Sequence, residues 1–388
     1  MFKRLLLVLG FAVLSIAQHT SFTEFRYQKY STESDVVTFD ETSDDAQYAY
    51  VKIDDYKLLK AGQNENSTSF RLVPEDVLPD LKVSQRFGFN LWKCQTLDDS
   101  IYDNLYYLYG LAAYVYGEHN ITPSIVYALE SAPKDVKRKT SSGTESFEVG
   151  CNSPYEYYAL GFEQNGIVSG ECVSNNKVLP GHEDAEGSEV MDDAPTKCEG
   201  SDTAIEGVLK GYKLGRTINN QYIIGTDYIK RYLTRVGPIA GQIRYSGEVP
   251  AVIERGLVIG WESNEWILAT PKNEPLQDGY RDIILEEKRI DLFKSSASLV
   301  QAAGYVLFDK DNLVNPGDTP GTGADVDCSK DITKDTPKET CSCPDKTDKA
   351  KWDADPRTKT KGDICASGSM RVLLNVIAAA VVIPFLFL

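Results

Sequence analysis

Histidine is almost missing from this chain of 388 residues, which has only His19, His119 and His182. Imidazole is the side chain that titrates nearest neutral pH and the commonest base beside a nucleophile, so its scarcity removes most hydrolytic constellations at the outset. His182 stands among Glu183, Asp184 and Glu186, the composition of a solvated acidic loop, and His119 follows an apolar helical run. Cys94, Cys151, Cys172 and Cys198 form no CxxC and no Cys/His cluster, which excludes zinc-ribbon and dithiol chemistry there; no metal or cofactor is expected. Positive charge is also short, with 41 Lys and Arg against 57 Asp and Glu for a net charge of −16. That balance excludes nucleic acid and anionic lipid headgroups as direct partners.

What is present points outside the cell. Lys3 and Arg4 precede an apolar run from Leu5 to Leu14, and Ser15-Ile16-Ala17 offers a small-x-small cleavage site, so residues 1–17 read as a secretory signal. Residues Val372 to Leu388 are a 17-residue apolar segment preceded by Ala366, Ser367, Gly368 and Ser369. This is the pattern of a GPI-anchor signal, with Ser367 as attachment residue and 368–388 removed, which would put the protein on the extracellular face of the plasma membrane. A single transmembrane helix is the alternative, but the length is marginal and Asn375 and Pro384 interrupt it. Two sequons, at Asn66 and Asn120, and an even set of eight cysteines fit a secreted glycoprotein with disulfides.

The apolar periodicity predicts helices first and strands afterwards. A Tyr-rich run from Asn104 to Tyr116, apolar almost all round and stopped by Gly117, reads as a buried central helix. Thr122-Pro123 and Ser153-Pro154 supply N-cap and first-turn signals for two more, Gly166 stops the second, and a further helix runs from Thr226 through Tyr232 to a stop at Gly237-Pro238. Alternating patterns then predict strands over 239–245, 257–261, 266–270, 280–286 and 304–308. This order is α+β. Residues 309–367, rich in Asp, Lys, Thr and Pro, read as a disordered stalk, with Cys328, Cys341, Cys343 and Cys365 tying one or two small loops.

Several motifs in order resemble the papain-like cysteine peptidases, cathepsin B-like members in particular. Lys60-Ala61-Gly62-Gln63-Asn64 is similar to the end of their propeptide, and Leu78-Pro79, Arg86 and Trp92-Lys93-Cys94 to the start of the mature enzyme. Gly150-Cys151-Asn152 resembles the family's GCNGG segment, and Gly166-Ile167-Val168-Ser169-Gly170 follows it. Val236-Gly237-Pro238-Ile239, Gly260-Trp261 and Trp266-Ile267-Leu268-Ala269 resemble the strands that carry the family's histidine and asparagine. The resemblance implies a helical lobe facing a β-barrel lobe over residues 78–308, behind a propeptide-like segment at 18–77. The family's usual partner for the Cys of GCNGG is absent, so Cys94–Cys151 with Cys172–Cys198 is the economical pairing, one of three open to four cysteines.

Carried over position by position, the resemblance puts Tyr106 where the nucleophile belongs, to within about two residues, Glu254 where the His belongs and Thr270 where the Asn belongs. Asp103 or Asn104 lies nearest the oxyanion-hole Gln. A Tyr/Glu/Thr set cannot run the thiolate–imidazole cycle, because the phenol is neutral and the carboxylate is a weak base near pH 7. Ser100 or Ser124 as a substitute nucleophile would still lack a base. The expectation is therefore a catalytically inactive homologue, a surface receptor or adhesin that binds a protein or peptide with Tyr106, Tyr107, Glu254 and Thr270 lining the old cleft. The alternatives are a regulator of active cysteine peptidases and a hydrolase with rearranged catalytic residues.

Overall fold

The computed structural model describes residues 24–34, 36–84, 87–89, 95–150, 155–175, 192–217, 226–245, 252–275, 281–291, 300–309, 343–345, 347–359 and 365. The chain divides into two compact units, one of residues 1–59 and 65–314, the other of 60–64 and 315–388. The expected signal at 1–17, Ser367 and the segment 368–388 lie outside the described residues.

The first unit begins with β1 (Glu24–Gln28), β2 (Ser31–Glu33), β3 (Val36–Asp40), the short α1 (Asp44–Gln47), β4 (Tyr48–Lys52), β5 (Ser69–Arg71) and β6 (Phe87–Phe89). Helices follow: α2 (Gln95–Tyr102), α3 (Leu105–Gly117) and α4 (Ile125–Glu130). The hairpin β7 (Asp135–Thr140) and β8 (Gly143–Glu148) leads to α5 (Tyr155–Asn165), β9 (Lys213–Thr217) and α6 (Thr226–Arg235). A run of antiparallel strands completes it: β10 (Ile239–Tyr245), β11 (Val252–Glu262), β12 (Glu265–Pro275), β13 (Arg281–Asp291) and β14 (Val300–Phe308).

The architecture is mixed α+β. The large sheet has the order β4-β1-β9-β14-β10-β11-β12-β13-β6, with β5 pairing β11, and a four-stranded sheet has the order β2-β3-β7-β8. Among the described residues the large sheet is an open path, which corrects the barrel expected for the second lobe. The reason is that β1 and β4, from the segment read as propeptide-like, continue the sheet beyond β9, so its outer strands are β4 and β6. Phe25 of β1 is fully buried, with its ring 4.7 Å from that of Phe308 and 5.9 Å from that of Tyr232.

The helices end where local chemistry requires. Asn104, at φ 62°, occupies the left-handed region between α2 and α3, a conformation Asn tolerates better than most residues. The stop after α3 is Glu118, also left-handed at φ 55°, its N–H donating to Tyr114 O at 2.8 Å. Ser124, rather than the expected Thr122, caps α4: its Oγ accepts from Tyr127 N at 3.0 Å. Buried Asn175 completes that cap, accepting from Ile125 N at 2.7 Å and donating to Pro123 O at 2.8 Å. Gly260 lets two strands meet, since a Cβ there would lie 2.2 Å from Phe70 O. Beside it Trp261 is fully buried, stacks on Phe70 at 5.2 Å and donates from Nε1 to Ser67 O at 2.9 Å.

In the second unit, part of the expected disordered stalk is a small folded module. Helix α7 (Lys349–Ala354) is capped by Asp348, and Cys343 is bonded to Cys365. Fully buried Arg357 donates from Nε and Nη2 to the two carboxylate oxygens of Asp355, at 3.0 and 2.7 Å. A disulfide and a bidentate pair substitute for the apolar core that so short a stretch cannot build.

Candidate functional site

Helix α3 carries the position at which the resemblance requires a nucleophile. Every residue from Leu105 to Ala113 is buried, as the all-round apolar pattern predicts. Tyr106 and Tyr107 are each 1% exposed, and their rings meet edge to face at 5.2 Å. Burial pushes both phenols well above their ordinary acidity near pH 10, and for Tyr107 the neighbouring Tyr106 adds to the effect. Both hydroxyls are therefore neutral at any physiological pH and turned into packed side chains. Gly110, four residues on, is imposed by packing: a Cβ there would lie 2.5 Å from Val83 Cγ2.

The opposing positions stand on the β11–β12 hairpin. Glu254 pairs with Ile243 in the β10–β11 ladder. Thr270 is half-buried; its Oγ1 lies 3.2 Å from where a Cβ on Gly256 would be, two residues from Glu254, and has no hydrogen-bond partner among the described residues. Tyr102, at the end of α2, reaches the same strand: the Arg255 guanidinium lies 3.2 Å from the Tyr102 ring centroid and donates through Nη2 to its hydroxyl. Thus the α2–α3 junction and the β11–β12 hairpin meet, and one contact between them is an aromatic–cation stack.

Sequence reasoning passed over Tyr102 and Arg255, although a cation directly after the position expected to hold a base was a usable signal. Tyr102 is 58% exposed, so this stack is the accessible feature of the region. Burial lowers the Arg255 pKa, and its Nη1 is buried without a hydrogen-bond partner among the described residues. Such a group can hold a carboxylate and offer a planar surface; it cannot generate a nucleophile.

The other candidates are accounted for by structure. Ser100 and Ser124 are both fully buried, the latter as a helix cap. Exposed His119 follows the C-terminus of α3, at the opposite end of the helix from Tyr106, where its N–H donates to Ala113 O at 3.1 Å. His19 and His182 lie outside the described residues. Among the described residues no group of three or more His, Cys, Asp or Glu could hold a metal ion.

Of the expected disulfides, Cys172–Cys198 forms, as does Cys343–Cys365; Cys94, Cys151, Cys328 and Cys341 lie outside the described residues. Asn66 is exposed. Asn120 is exposed too, but its amide accepts from Lys82 N at 2.7 Å and donates to Asp80 O at 3.3 Å, bonds a glycan would have to share. No helix among the described residues is long and apolar enough to cross a membrane. No protein-family model matches the chain, and no curated protein matches it.

Proposed function

We propose that this chain is a papain-like, non-catalytic binding protein, displayed on the outer cell surface through a GPI anchor, whose partner is a peptide or protein. The observation that carries this reading is the state of the nucleophile position: two phenols, 1% exposed and held neutral by burial, on a helix with no Cys. Catalysis of the papain kind needs a thiolate and an imidazole within hydrogen-bond reach, and His119 stands beyond the far end of the same helix.

Tyr102 and Arg255 then replace Tyr106 and Tyr107 as the side chains a ligand would meet, with Thr270 on the neighbouring strand. The propeptide-like segment acts as part of the sheet rather than as a releasable inhibitor, because removing it would expose Phe25 and strip β9 of a hydrogen-bonded neighbour. The test is incubation of the purified chain with a complex peptide library, reading new termini and retained peptides by mass spectrometry. The proposal expects no new termini and a retained set that shrinks in Arg255→Ala. New termini that vanish in Glu254→Gln would overturn it in favour of a rearranged hydrolase.

A further inference from the structure

We propose that a second region, the cavity between β1, β9 and α5, is a binding site for an organic oxyanion, a carboxylate or phosphate ester carried on an aromatic or apolar body. It shares no residue with the Tyr106, Glu254 and Thr270 positions, so it goes beyond the reading above and stands or falls separately.

The first observation is a register that a sheet built for stability would avoid. Arg26 of β1 stands directly opposite Arg216 of β9 in the antiparallel ladder. Like charges facing each other across a strand pair are destabilising, by an amount similar to what a favourable pair contributes. Each guanidinium lies over a tyrosine ring, Arg26 over Tyr48 at 3.9 Å and Arg216 over Tyr305 at 5.2 Å, so both cations are held in place. Arg26 makes no ion pair or hydrogen bond through its guanidinium among the described residues, and both arginines are half-buried.

The second observation is the cavity itself, about 380 Å³ in volume and lined by both arginines and both of those tyrosines. Its lining holds four cations and two carboxylates. Both carboxylates are engaged: Glu163 is paired with Lys213 and accepts from the Tyr30 hydroxyl at 2.7 Å, and Glu41 lies 3.3 Å from Arg138 Nε. The local balance is therefore positive inside a chain whose net charge is −16.

Two guanidinium groups lining one cavity match the several acceptor oxygens of a carboxylate or phosphate. A bare inorganic ion would occupy only part of a cavity in the size range of small-molecule sites, whereas the tyrosine walls offer flat apolar surface to an organic body.

The test is calorimetric titration of the full chain with phenyl phosphate and with phenylacetate, alongside inorganic phosphate, which lacks the body, and benzyl alcohol, which lacks the charge. The proposal expects one or both aromatic oxyanions to bind at least tenfold more tightly than either control, with affinity falling as salt rises; which of the two binds identifies the oxyanion. Arg26→Gln and Arg216→Gln should each weaken binding at least tenfold while leaving Tm unchanged or raised, since each removes a like-charge opposition. Absence of binding by both aromatic oxyanions, equal binding of inorganic phosphate, or full affinity in the double variant would overturn the proposal. So would a fall in Tm in both single variants, which would make the arginines structural.

Discussion

The helix α3 position and the β1–β9 cavity are opposites. At the first, where the resemblance puts the chemistry, large aromatic side chains are packed to 1% exposure with their hydroxyls neutral. At the second, where no motif points, two arginines oppose each other across a strand pair beside about 380 Å³ of space. The first arrangement contributes stability and offers a ligand nothing; the second gives up some stability and keeps a charged concavity. A site is recognised by what it leaves unfilled, so the position of a motif resemblance is a weaker guide to binding than the local balance of burial and charge.

The largest effect should come from truncation on the packed side. Tyr107→Ala removes a buried aromatic and should cost about 3–5 kcal/mol in denaturant unfolding, whereas Tyr107→Phe, which deletes a hydroxyl without a hydrogen-bond partner among the described residues, should be neutral or slightly stabilising. If Tyr107→Ala were well tolerated, the two regions would be alike after all. Breaking the Cys172–Cys198 bond with Cys172→Ser should cost about 3 kcal/mol by the same measurement, through loss of a loop constraint, without touching either region's side chains.

The response to pH separates the regions next. Tyr106, Tyr107 and Tyr109 all have folded-state acidities weakened by burial, above the value near 10 they take when unfolded. Their contribution is complete below pH 10. As pH rises beyond that, the unfolded chain loses protons the folded chain keeps, so stability falls, by about 1.4 kcal/mol per pH unit for each phenol that stays protonated. Ultraviolet titration of phenolate should show these groups ionising only with unfolding, ahead of which half-buried Tyr212, pushed up to about 12 chiefly by burial, provides a partial signal. The smallest effect is Arg26→Gln, expected to leave stability unchanged or raised by less than about 1 kcal/mol, because the relieved like-charge opposition is offset by the lost stack on Tyr48.

Much of the fold could be read in the chain. The helix expected over 104–116 spans Leu105–Gly117, the strand expected over 239–245 is Ile239–Tyr245, and Gly166 and Gly237 stop helices with φ of 80° and 107°. Strong apolar runs and glycine stops are local signals. The N-terminal strands escaped because β1 and β2 are short and largely polar; β2 is exposed throughout, and β1 pairs with β9, almost two hundred residues away. The same separation hid the arginine pair: Arg26 and Arg216 have no shared spacing, and only strand register brings them together. At the motif positions the all-round apolar pattern already marked the helix as buried, but the family register, which carries no burial, put Tyr106 and Tyr107 on a cleft floor; both are core.

The difference between the two regions is tested most directly by hydrogen–deuterium exchange of the full chain with and without a saturating amount of whichever of phenyl phosphate and phenylacetate binds more tightly. Added protection confined to peptides covering Glu24–Gln28 and Lys213–Thr217, with none over Leu105–Gly117, is the result predicted. Protection over Leu105–Gly117 and Val252–Glu262 with none at the two arginine strands would contradict it, and would return the binding site to the position the motifs mark.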